Sequence, residues 1–139
     1  MAAAGTVVKT IQRAAGGMQV TLAWTANASG SVAEGGTTGK GVFSANGYLV
    51  GVEYEAVTAD DLYDVTLLDS GSKDVLRGLG ANKPSAANTT YDNKYRSDVR
   101  DVDGAWLYFF NKNLTLTIAN GGNLGTGIIR LKFADALPA

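Results

Sequence analysis

An all-β fold is predicted by this sequence, in the form of a two-sheet antiparallel sandwich with the jelly roll as the expected topology. Three observations predict it. Apolar residues recur with a period of two, Gly and Asn clusters punctuate the alternating runs, and no apolar stripe at helical spacing lasts longer than one turn. The count is seven to nine strands, which two packed antiparallel sheets accommodate. Alternation does not choose between a jelly roll and another Greek-key sandwich, since both need the same inner and outer faces.

The elements follow in chain order. Thr6 to Arg13 is rich in β-branched residues and reads as a strand. Ala14-Ala15-Gly16-Gly17 reverses it into Met18 to Thr25, where Met18, Val20, Leu22 and Trp24 share the core side. Residues 27–39 read as an extended surface loop. A short strand at Gly41 to Ser44 is followed by Asn46-Gly47, a strong hairpin signal, and then by a strand at Tyr48 to Ala56. In that strand Tyr48, Val50, Val52 and Tyr54 are expected on one face, with Leu49, Gly51, Glu53 and Glu55 on the other. Thr58-Ala59-Asp60-Asp61 fits a capping box and a single helical turn, or else a connecting loop. Leu62 to Leu68 is extended, Asp69 to Ser72 turns, and Asp74 to Gly80 reads as a short strand or an irregular edge. Residues 81–104 form a second long polar loop, with room for a short strand at Tyr91 to Val99. Ala105 to Phe110 resumes the sheet, Asn111-Lys112-Asn113 turns it, and Leu114 to Ile118 returns. After Asn120 to Asn123 the last strand is Gly127 to Phe133. The whole, residues 1–139, is expected to be a single domain.

Composition narrows the chemistry. The chain has no Cys and no His, which excludes disulfides, thiolate or imidazole metal sites, and the usual base of a Ser or Cys nucleophile. Carboxylate chemistry, an oxygen-ligand Ca²⁺ site and a Ser–Lys pair are what is left to weigh. Twelve Lys and Arg against 13 Asp and Glu give a net charge of −1, which speaks against non-specific nucleic-acid binding. No apolar run nears the roughly 20 residues of a membrane-spanning helix, and residues 1–5 do not read as a secretory signal. The expectation is therefore no direct nucleic-acid partner, no membrane, no cofactor and no catalytic residue.

Each candidate site has a plainer account. Ser70-Gly71-Ser72-Lys73 places a lysine near two serines, but a turn explains it. Asp98, Asp101 and Asp103 before Gly104 bring carboxylates together, yet lack the closing Glu of a Ca²⁺ loop. Gly78 to Lys83 superficially matches a phosphate loop without its Lys-Ser/Thr ending. Glu53 and Glu55 lie on one strand face about 7 Å apart, a spacing a glycosidase pair would use, though an exposed outer face accounts for it. The sequons at Asn27, Asn88 and Asn113 matter only after passage through a glycosylating compartment. More informative is the run 106–110, where Trp106, Tyr108 and Phe110 oppose Leu107 and Phe109. One of those faces fills the core and the other needs a partner.

Several segments carry a resemblance: Thr6 to Arg13, Val20 to Trp24, Tyr63 to Asp69, Asp74 to Asn82 and Leu114 to Asn123. Together they resemble small virion proteins of tailed bacteriophages, in particular the capsid cement (decoration) proteins of short-tailed Bordetella phages. The resemblance covers most of the chain. It implies a jelly-roll protein on the outer surface of the capsid in the virion, bridging major capsid subunits and self-associating as a dimer. It carries no catalytic residue. Arg13, Lys94, Arg96, Trp106 and Tyr108 are the expected interface residues. A tail or baseplate structural protein and a carbohydrate-binding β-sandwich are the alternative readings.

Overall fold

Alternating side chains make a stable strand only where one face finds cover, so the strands should appear where large apolar residues fall every second position. A computed structural model describes residues 5–14, 16–33, 36, 41–60, 62–76, 80–81, 83, 89–92 and 108–135, apart from the side chains of 14, 89–92 and 108. Among these residues there are seven strands and no helix: β1 (Thr6–Ala14), β2 (Gly17–Thr25), β3 (Val42–Ala56), β4 (Asp64–Leu68), β5 (Thr89–Asp92), β6 (Tyr108–Ala119) and β7 (Thr126–Ala134). The all-β antiparallel class stands. The strands expected in two sheets are, however, joined by hydrogen bonds into one, in the order β1-β2-β7-β3-β6-β4, with β5 also on β3.

That sheet curls over on itself. Phe133 of β7 lies opposite Leu49 of β3, six residues past Phe43, a separation of about 20 Å along a straight strand. Yet the Phe43 and Phe133 rings are 6.4 Å apart. Likewise Lys9 of β1 reaches the Val42 carbonyl of β3 at 2.8 Å, although two strands, β2 and β7, separate them across the sheet. The curl brings the inward rows together. Trp24, Leu22, Tyr54, Tyr63, Leu116 and Ile129 are fully buried there, each contributing about 1.5–3 kcal/mol.

The bend has a local cause. β3 and β6 both shift register between Ala45 and Gly47, where Asn46 faces the two residues Phe110 and Asn111. Asn111 adopts φ 49° and its N–H donates to Asn46 Oδ1 at 3.0 Å. Gly47, at φ 101°, passes so close to the Ala134 carbonyl that a Cβ would stand 2.7 Å from it. Thus the Asn46-Gly47 and Asn111-Lys112-Asn113 turns expected from sequence are not turns. They lie opposite each other inside two continuous strands and meet in one bulge, whose extra residue is in β6. A second shift, between Leu49 and Gly51, changes the alternation of β3. Leu49, Val52 and Tyr54 face inward, while Tyr48 and Val50 are half-buried, which corrects the expected face.

Other expectations hold. β1 and β2 form the predicted hairpin, and Met18, Val20, Leu22 and Trp24 are buried. Of the Asp74 to Gly80 stretch, the described residues form no named strand and sit as an edge on β4: Val75 N–H donates to Leu67 and Val65 N–H to Gly80, while Lys83 N–H donates to Tyr63. The Thr58 to Asp61 stretch is a connecting loop in its described residues. β5 overlaps only the start of the strand expected at 91–99, and residues 93–107 lie outside the described residues.

Candidate docking surface

Two ends of the curled sheet display large apolar side chains. At the loop end, three connections meet. The N–H groups of Val57, Thr58 and Ala59 all donate to the Thr126 carbonyl at 3.0 Å. Thr126 N–H donates to Thr58 Oγ1 at 2.9 Å, and the two threonine hydroxyls are 2.8 Å apart. Asp60 N–H donates to Gly121, Gly121 N–H to Gly30 and Leu124 N–H to Asn27. Asn27 Oδ1 in turn accepts from Ser29 and Ser31, so this sequon asparagine shapes its own turn.

This lacing holds two leucines in the left-handed region, Leu62 at φ 64° and Leu124 at φ 55°. A bulky residue is rare there, because its Cβ crowds the backbone. Both are nonetheless exposed, at 55% and 60%, and Val57 beside Thr58 is 53% exposed. At the bend end the bulge turns Phe110 outward to 75% exposure, while Phe109 is buried against Phe133 with ring centroids 6.0 Å apart. A bulge re-aims a side chain in this way.

Of the interface residues expected from sequence, Arg13 is exposed at the end of β1, with Nη1 3.6 Å from Met18 Sδ. Tyr108 begins β6 opposite Tyr48, its side chain being outside the description. Lys94, Arg96 and Trp106 lie outside the described residues. The structure thus puts Arg13 and the Tyr108 backbone at the same end. Four inter-strand steps lie between β1 and β6, about 19 Å across the sheet. Sequence reasoning did not single out Leu62, Leu124 or Val57. A leucine directly after Asn120-Gly121-Gly122-Asn123 was the available signal, since a turn seldom needs one. Phe110 shares its alternation face with Trp106 and Tyr108, which pointed toward it.

Elsewhere the charged groups serve local structure. Arg130 Nη1 bridges Glu53 Oε2 and Glu55 Oε1, both at 2.9 Å, on the partly exposed outer face of β3 and β7. The two glutamates thus share one arginine, which offsets one of their two negative charges. Ser70 to Lys73 is a turn built on Asp69, whose Oδ1 accepts from the Gly71 and Lys73 amides at 2.8 and 3.0 Å. The Lys73 amide, more than any other group, holds the Asp69 carboxyl below the usual range, helped by the Gly71 amide and by Lys112. Lys83, from the phosphate-loop-like stretch, stands with Nζ 4.3 Å over the Tyr54 ring. Among the described residues no three acidic side chains group to hold a metal ion. No helix among them is long and apolar enough to cross a membrane. The Asp98 to Asp103 cluster lies outside the described residues.

No family model, curated protein or solved structure matches this chain.

Proposed function

We propose that this protein is a capsid cement protein, which binds the outer surface of a phage head and bridges neighbouring major capsid subunits, as a dimer. The observation that carries this reading is the display of apolar side chains at two opposite ends of one hydrogen-bonded sheet. Val57, Leu62 and Leu124 stand at one end and Phe110 at the other. The nine residues of β7 run between them, a length of about 30 Å. Such a molecule suits contact with two subunits at once. The resemblance to phage decoration proteins supplies the identity of the partner.

The fold is read as a jelly roll. Divide β3 at its bend, and β2, β7, the second half of β3, and β5 form one run of neighbours. The first half of β3, then β6, β4 and the edge segment at 74–75 form another. Two interleaved four-membered runs of this kind are the jelly-roll order, and the ring contacts between the runs support it.

Bridging stabilises a shell when the cement binds assembled subunits better than separated ones. Mature heads saturated with this protein should therefore show a higher disruption temperature than bare heads in a calorimetric scan. An unchanged temperature at full occupancy overturns the reading.

A further inference from the structure

Trp24 and Tyr63 meet in the core with ring centroids 5.5 Å apart and planes inclined by 47°. Their exposures are 1% and 0%. Neither Trp24 Nε1 nor Tyr63 OH has a hydrogen-bond partner among the described residues, and both atoms are fully buried. Two orphaned polar atoms on touching side chains are uncommon in a native core. An indole N–H only donates, whereas a phenol both donates and accepts. The backbone adds a third polar group. At Gly127 the position of a Cβ would be 2.8 Å from Trp24 Cε2, the carbon bonded to Nε1, and 2.9 Å from the Glu55 carbonyl oxygen. That carbonyl and the Cε2 side of the indole thus both border the point a Gly127 Cβ would occupy. Gly127 is what permits the approach, because any side chain there would strike the ring.

We propose that a single internal water molecule is bound at this junction, accepting from Trp24 Nε1, bonded to Tyr63 OH and donating to the Glu55 carbonyl. Three partners is the usual complement of a buried water. A water has the two lone pairs and two hydrogens this set requires, whereas a cation would be repelled by the indole N–H. The site lies just beneath the laced loop end, where Gly121 also packs on the Trp24 ring.

Water-selective nuclear and rotating-frame Overhauser spectra of the full chain test this on the Trp24 Nε1–H resonance. The expected result is a cross-peak at the water frequency whose rotating-frame sign marks direct proximity and not hydrogen exchange. Its absence overturns the proposal. The variant Tyr63→Phe removes one partner of the water. The cross-peak should weaken and Tm should fall by about 2–4 °C. A Tyr63→Phe protein as stable as the parent or more so, with an unaltered cross-peak, also overturns the three-partner site, since it would mean the hydroxyl was a mere orphan. Should that variant not fold, the parent spectrum alone decides.

Discussion

Leu62 and Leu124 are each held where glycine is the natural occupant, at a cost of about 1–3 kcal/mol. Replacing them by Gly relieves that strain but adds about 0.5–1 kcal/mol of chain entropy to the unfolded state. Little burial is lost, because both side chains are mostly in solvent. The strain relieved is at least as large as the entropy lost, so Leu62→Gly and Leu124→Gly should melt no lower than the parent while losing head occupancy in a co-sedimentation assay. Retained occupancy would remove these leucines from the docking surface. Tyr63 gives a second residue-scale expectation. Burial, and secondarily the Glu55 carboxylate, push its phenol from 10 to about 12. Above pH 10 the unfolded chain releases this proton and the folded chain keeps it. The stabilisation is present in full below pH 10 and is lost as pH rises through 12, at about 1.4 kcal/mol per unit. Urea melts between pH 9 and 12 should fall more steeply for the parent than for Tyr63→Phe, and parallel curves would contradict this.

Among the elements, β3 and β6 do most to shape the molecule, because both bend at the same place. Gly47 combines φ 101° with a carbonyl where its Cβ would be. Gly47→Ala therefore meets backbone strain and overpacking together and should destabilise by about 2–4 kcal/mol in urea titration. A loss under 1 kcal/mol would show that the bend yields easily. Asn46-Gly47 was legible as a place where the chain changes direction, and Asn111-Lys112-Asn113 likewise. Their meeting in a single bulge was not. A hairpin and a bulge draw on the same residue types, since both need φ above zero at Gly or Asn. What separates them is whether the flanking segments pair with each other or with a common neighbour. Here Tyr48 pairs with Ala134 and Phe43 with Leu114. The extra residue at Leu49–Gly51 had the same consequence, reversing the expected face of Tyr48 and Val50 with no local sign.

At the scale of the whole molecule, the proposed bridging through two apolar displays about 30 Å apart would make binding a matter of effective concentration. Losing one end turns a bridged contact into a single one and lowers apparent affinity by about 10²–10⁴-fold. Phe110→Ser and the pair Leu62→Gly with Leu124→Gly should each show such a loss in binding isotherms on isolated heads. Heads carrying either variant at saturation should disrupt at the bare-head temperature. A small, additive effect of each change would argue for independent contacts and against bridging.

Hydrophobic alternation was enough to locate β1, β2, β4, β7 and the second half of β6, and to name Met18, Val20, Leu22 and Trp24 as core. Period-two burial is a local property of a pleated strand, so a single segment reports it. The join of all strands into one curled sheet, the outward turn of Phe110 and the strained exposure of Leu62 and Leu124 are not local. They depend on hydrogen bonds between positions as far apart as Asn27 and Leu124, and on a carbonyl from β7 pressed against Gly47. Such pairings exist only once distant segments have met, and that is why the exposed apolar surface is decided by the folded chain.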